Sequence, residues 1–258
     1  MLSPDKMTIA ELALYIDQAD NLTPEIEEAL IKDTRIGAAT LLERHRKRQE
    51  RRANETARLE KMLAYEKQLW EKGFKAIAGI DEAGRGPLAG PVVAAAVVFS
   101  PGTLIDNLND SKQLSAARRG SLYEEIILNA KAYGIGSASR EEIDHLNIHQ
   151  ATFLAMKRAL AKLPDEPDFI LVDGFTMPES SWRQKAIKSG DALSLSIAAA
   201  SVLAKVTRDT MMLKLHEEYP QYGFNRNKGY GTADHCAALN KYGPCPAHRV
   251  SFRLKFDD

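Results

Sequence analysis

Cysteine is nearly absent from this chain. Cys236 and Cys245 are the only two, too few for a disulfide framework, so free thiols in a reducing compartment are expected. No run of about 18 apolar residues is present, as a membrane-spanning helix would need. The first fourteen residues carry Asp5 and Glu11 where a signal peptide would be apolar. Both absences point to a cytoplasmic protein with no membrane partner. An excess of either charge is lacking too, with 35 Lys and Arg against 35 Asp and Glu. Net charge therefore gives no argument about a polyanionic partner; only local clustering can. There is no internal repeat and no low-complexity segment. No phosphate-binding P-loop occurs, since Gly229-Tyr230-Gly231 lacks the spacing and the Lys-Ser/Thr ending.

What is present is a chain of 258 residues, 44% hydrophobic, enough for one substantial domain and a smaller one. Residues 1–72 read as a helical extension. Thr8 to Glu11 is a capping box, and Thr23-Pro24 starts a second helix. Residues 41–70 contain neither Gly nor Pro and read as one long solvated helix. Arg44, Arg46, Lys47, Arg48, Arg51 and Arg52 cluster on it; they read first as a solvated face and second as a nucleic-acid contact. From Gly73 the texture changes. Strands are expected over 75–80, 92–99, 133–138, 169–172 and 186–188. Helices are expected from Ser115 to Ala130, from Ser139, over 148–163, over 192–218 and over 234–242. Strands that come first as a hairpin-like pair and then alternate with helices make a mixed α/β sheet layered with helices.

Asp81 and Glu82 end the first strand, where α/β proteins place function. Adjacent strand residues face opposite ways, but the glycines that follow permit a bend that brings both to one site. Gly84-Arg85-Gly86-Pro-Leu-Ala89 has the spacing of a dinucleotide fingerprint, yet a β-rich run follows it where that motif needs a helix. What survives is a tight loop whose N–H groups and cation can hold a phosphate or a ribose. Asp173 closes another apolar strand. Asp191 precedes the long helix and reads alternatively as its N-cap. Four clustered carboxylates repel unless cations or protons compensate, and an oxygen-only set suits Mg²⁺ or Mn²⁺. A rival zinc site, His235-Cys236 with Cys245 and His248, has the wrong spacing, so surface histidines and free thiols are expected there. Residues 205–256 hold nine Lys/Arg against four Asp/Glu, with Tyr219, Tyr222, Phe224, Tyr230 and Tyr242 interleaved. That mixture fits either core aromatics with solvated cations or a nucleic-acid surface.

Read in order, several segments resemble bacterial type 2 ribonuclease H (ribonuclease HII). They are residues 77–91 (IAGIDEAGRGPLAGP), Asn109-Asp-Ser-Lys112, Leu171-Val-Asp-Gly174, Lys188-Ser-Gly-Asp191, 196–209, Asn227-Lys-Gly-Tyr-Gly-Thr232 and His248-Arg-Val-Ser-Phe252. The resemblance spans about residues 74–253. It implies a ribonuclease H-like fold with a five-stranded mixed sheet in a catalytic domain over 73–258. It further implies an acidic centre of Asp81, Glu82, Asp173 and Asp191 holding two divalent ions. Gly84, Arg85 and Gly86 would read a ribose 2′-hydroxyl mainly through the backbone, and Arg85 favours type 2 over type 3. Tyr230 would stack on the sugar at an RNA-to-DNA junction; Lys112, Lys205 and Lys228 would contact phosphates. The implied substrates are RNA–DNA hybrids and duplex DNA containing a ribonucleotide, cut 5′ of the ribonucleotide to leave 3′-hydroxyl and 5′-phosphate ends by a monomer. The competing readings are a hybrid-binding protein without nuclease activity and an exonuclease with a similar acidic centre.

Overall fold

The computed structural model describes residues 6–178 and 180–252. Asp5, Arg253 and Lys255, which entered the reading of the chain ends, lie outside the described residues. The chain forms two compact units, one reaching to Arg58 and one starting at Leu59. The first unit contains α1 (Ile9–Gln18), α2 (Pro24–Lys32) and most of α3 (Ile36–Met62). The expected capping box opens α1, with the Thr8 N–H donating to Glu11 at 2.8 Å. Leu12, Ile16, Ile26, Leu30, Leu41 and Leu42 make its core. Four of the six clustered cations of α3 are turned onto α1, the loop that follows it, or α2, while Lys47 pairs with Glu43 of α3 itself. Arg44 pairs with Asp17 at 2.8 Å, Arg46 with Glu27 at 2.6 Å and Arg52 with Asp20 at 2.9 Å. Arg48 caps the end of α1, donating to the carbonyls of Ile16 and Ala19 at 2.6 and 2.9 Å.

The single helix expected over 41–70 is broken. Leu63 leaves the helical region (φ −83°, ψ 2°), and α4 (Ala64–Glu71) follows. Propensity gives no signal for this break; packing does. Leu59, Met62 and Leu63 enter a core shared with the helix over Leu195–Glu218, whereas Leu69 joins Leu171 and Ile187. Between them Glu66 is buried. Its Oε1 accepts from Ser194 Oγ and Ser196 Oγ, both at 2.6 Å, and from the Ser196 N–H at 3.1 Å.

The second unit is built on the expected five-stranded mixed sheet, in the order β3-β2-β1-β4-β5. β1 (Ile77–Ala83), β2 (Val92–Val98) and β3 (Ala132–Ala138) are antiparallel neighbours. β4 (Phe169–Asp173) runs parallel to β1, and β5 (Gln184–Ile187) parallel to β4. The unbroken apolar run of β2 is explained by burial on both faces. Ala94, Ala96 and Val98 pack with α7 (Ile148–Leu160); Ala95 and Val97 pack with α5 (Ala116–Asn129) and α9 (Leu195–Glu218). Ser139 opens α6 (Arg140–Leu146) with the expected capping box.

The helix expected from Ala192 is interrupted, too. α8 (Gly190–Leu193) ends at Ser194, which is extended (φ −129°, ψ 130°) and caps α9 by accepting the Ile197 N–H. Asp191 therefore lies inside α8 and is not an N-cap. α9 crosses β1 at Gly79, where an added Cβ would run into the backbone at Ser196 and Ile197. This close crossing sets Asp81, two residues further along the same face, beneath the next turns of α9. A short α10 (Phe224–Asn227) and α11 (Ala233–Tyr242) follow.

Candidate active site at the end of the central strands

A cavity of about 450 Å³ opens where β1 and β4 end. Asp81, Glu82 and Asp173 line it, with Gly84, Arg85, Gly86, Lys112, Lys205 and Tyr230. The neighbouring carboxylates share the cavity without the expected bend: β1 stays in register with β2 through Ala83, and the Glu82 N–H donates to Asp81 Oδ1 at 2.7 Å. Asp173 Oδ1 accepts the Gly190 N–H at 2.6 Å, which fastens the tip of β4 to the start of α8. Asp191 is outside the cavity lining but joins through Lys112, whose Nζ lies 3.2 Å from its Oδ2.

The charge here is under-compensated. Burial, then repulsion from Glu82 and Asp173, pushes the Asp81 carboxyl well above the usual carboxylate range. Burial raises Glu82 despite the Arg85 guanidinium at 3.3 Å. Burial also raises Asp173, against the Gly190 hydrogen bond. Glu82 Oε2 is buried without a partner. Among the described residues no three such side chains converge into a ready-made cage. An all-oxygen donor set with an orphaned carboxylate oxygen fits a divalent cation.

Gly84 has φ +99°, and a Cβ there would run into the Arg208 side chain. Gly86 differs: a Cβ there would meet only the Tyr230 ring edge, at 3.7 Å. Its missing side chain thus keeps open the space between the loop and Tyr230, which is 46% exposed. The N–H groups of Arg85 and Gly86 have no acceptor among the described residues. The Arg85 side chain leans back over the Phe175 ring at 4.8 Å.

The three lysines are placed differently. Lys112 is the most central; burial lowers its pKa, but attraction to Asp191 outweighs this and the net shift is upward. Lys205 is paired with Asp209 at 2.7 Å. Lys228 is outside the cavity lining, and its Nζ donates to the Asn225 carbonyl at 2.6 Å. Several neighbours had no local sequence signal. The Ser201 hydroxyl, which works against the upward shift of the Asp81 carboxyl, lies 2.8 Å from the Ser111 hydroxyl beside Lys112. Arg119 donates to the Ser111 carbonyl at 2.8 Å and so holds the loop that presents Lys112.

His235 and His248, expected at the surface, are buried. Their Nε2 atoms are 3.0 Å apart beside Tyr222 and Phe224, and burial pushes both pKa values down, His248 to about 4. His235 Nδ1 faces the Tyr230 carbonyl at 2.9 Å, and His248 Nδ1 accepts the Cys245 N–H at 2.9 Å. With all four ring nitrogens satisfied, these residues are a structural relay. Both cysteines are free, as expected, and no helix among the described residues is long and apolar enough to cross a membrane.

The family model for ribonuclease HII matches residues 78–257, and that for the ribonuclease HII N-terminal domain matches residues 8–70. The ribonuclease HII of Desulfitobacterium hafniense (strain DSM 10664 / DCB-2) is 48% identical over 247 residues, covering 96% of this chain and 94% of that protein. That of Myxococcus xanthus (strain DK1622) is 50% identical over 241 residues, covering 93% and 82%. The crystal structure of ribonuclease H2 from Pyrococcus horikoshii OT3 superposes with a TM-score of 0.58 at 28% identity, covering 69% of this chain and 94% of that one.

Proposed function

The chain belongs to the ribonuclease HII family of ribonuclease H-type endonucleases, and from that premise we propose that it hydrolyses the RNA strand of RNA–DNA hybrids and cuts 5′ of single ribonucleotides in duplex DNA. The ends left are 3′-hydroxyl and 5′-phosphate, and the setting is removal of ribonucleotides from DNA. One observation carries this reading: a single cavity is lined by under-compensated carboxylates, by Arg85 and Gly86, whose N–H groups have no acceptor among the described residues, and by the exposed Tyr230. The first feature suits phosphodiester hydrolysis; the second suits a ribose reader, and the 2′-hydroxyl is the handle that separates such a junction from plain DNA.

Two divalent ions, Mg²⁺ or Mn²⁺, held by Asp81, Glu82, Asp173 and Asp191, would supply an activated water and charge neutralisation at the leaving oxygen. The rest falls to the protein. The amides of Arg85 and Gly86 donate toward the ribose, with Gly84 shaping their turn. Tyr230 offers the sugar a stacking face. Lys112, Lys205 and Lys228 answer phosphates, Lys112 nearest the cut. Residues 73–258 carry this chemistry in a monomer, preceded by the helical segment 1–72, whose last part from Leu59 belongs to the sheet's own unit.

A covalently closed duplex circle carrying one ribonucleotide tests the proposal directly. Incubated with Mn²⁺, it is nicked 5′ of the ribonucleotide, while the all-DNA circle stays closed. A closed ribonucleotide circle under folding conditions overturns the reading; tight binding without a nick would favour a non-catalytic hybrid binder. An exonuclease cannot open a circle at all.

A further inference from the structure

Arg208 and Arg249 are 1% and 0% exposed, among the largest fully buried side chains. Among the described residues neither makes an ion pair with a carboxylate. Their six side-chain nitrogens donate instead to six main-chain carbonyls. Arg249 reaches Gly84, Arg85 and Gly90 at 2.6, 3.0 and 2.9 Å. Arg208 reaches Ala89, Pro91 and Lys228 at 3.1, 3.0 and 3.0 Å. Burying a guanidinium without an anion is costly; these carbonyls offset it, and the Arg249 guanidinium also lies 5.0 Å from the centre of the Phe252 ring. Leu88 and Gly90 donate to Gly229 and Ala247 at 2.8 and 2.9 Å, so the guanidinium groups brace a loop whose main-chain bonds report its closure.

In a trans peptide the C=O and the following N–H point opposite ways, and no cis peptide occurs here among the described residues. Fixing the Gly84 and Arg85 carbonyls on Arg249 therefore aims the Arg85 and Gly86 N–H groups away from it, toward the cavity. We propose that Arg208 and Arg249 are positioning residues for ribose recognition, holding the 84–91 loop so that these two amides face the sugar. The proposal rests on the reading that this loop senses a 2′-hydroxyl. The adjacent His248, through His235 and the Tyr230 carbonyl, ties the stacking ring to the same frame. One C-terminal segment thereby fixes both the amides and the ring between which the ribose would lie.

The test uses Arg249→Met, Arg208→Met and Arg249→Lys in the full chain, in an Asp81→Asn background so that nothing is cut. Affinity is measured for a one-ribonucleotide duplex and for the same duplex in all-DNA form, beside amide exchange at Leu88 and Gly90. The Met variants should lower the ribonucleotide-to-DNA affinity ratio at least tenfold with DNA affinity kept. Exchange at Leu88 and Gly90 should accelerate at least tenfold while the β1–β2 ladder stays protected. Arg249→Lys, with one charged nitrogen in place of three, should recover part of the ratio. Equal loss on both duplexes, or a retained ratio in a folded variant, overturns the proposal. If a Met variant does not fold, the Lys variant is judged by the same ratio. If the parent shows no ribonucleotide preference, the functional reading has failed, and unchanged exchange at Leu88 and Gly90 would separately overturn the clamp.

Discussion

The two units treat charge in opposite ways. In the first, four of the six clustered cations find partners as the helices pack: Arg44, Arg46 and Arg52 meet acids, and Arg48 caps α1. At the end of β1 and β4 the acids have too little opposing charge, and a buried Glu82 oxygen has no partner. The run that stands out in the sequence is the one the fold discharges. The quieter pair, Asp81-Glu82, is the one it leaves loaded. A chain leaves charge unpaired in its interior at a cost in stability, so unpaired buried charge, rather than charge density, marks the place to seek chemistry.

That contrast breaks first at Asp81. Asp81→Asn should lower kcat by at least about 10³-fold, equivalent to about 4 kcal/mol, yet stabilise the metal-free protein by roughly 1–2 kcal/mol, because a buried repulsion is removed. The pH dependence follows. Asp81, Glu82 and Asp173 have raised folded pKa values, so their stabilising protonation is complete below about pH 4, the unfolded value. It is lost as pH climbs through the folded values. Thermal midpoints of the metal-free protein should fall between pH 5 and pH 8, less steeply in Asp81→Asn; a flat parent profile would contradict the loaded-centre picture. A middle-sized effect is expected at Gly86. Its Cβ has room, so Gly86→Ala should change stability by under about 1 kcal/mol while weakening ribonucleotide-duplex binding about tenfold or more by filling the gap to Tyr230. Equal binding by the parent and Gly86→Ala would show that the gap does not hold substrate. The smallest effects belong to the first unit. Arg44→Ala and Arg52→Ala should each cost at most about 1 kcal/mol. The slope of log affinity against log salt for duplex binding should stay unchanged, because these cations are already paired; a slope reduced by about one per substitution would instead put them on phosphate.

Much of the fold could be read from periodicity and punctuation. The apolar run at 92–98, the caps at Thr8, Ser115 and Ser139, and a mixed five-stranded sheet all follow from local rules. The acids at strand ends were also legible, and the structure gathers Asp81, Glu82 and Asp173 in one cavity. Two helix breaks were not. Leu63 and Ser194 lie in stretches whose propensities favour continuing, and distant packing overrides them. Arg208 and Arg249 lie in segments that carry the family resemblance, but their role was illegible for a related reason. Their partners are carbonyls, which every residue carries, so no spacing of side chains betrays them. The buried histidine pair was missed because its two members are thirteen positions apart and find each other only in three dimensions.

The break at Leu63 bears on how relatives of this chain can exchange parts. The stretch matching the N-terminal family model runs to residue 70, but from Leu59 onward it belongs to the compact body of the sheet. Leu59, Leu63 and Leu69 fill that body, and Glu66 fastens the corner at Ser194 from which Asp191 is hung. A splice at Gly73 would carry off a layer of the sheet's own packing. A splice between Arg58 and Leu59 would leave it whole, so homology and mechanical integrity draw the seam in different places.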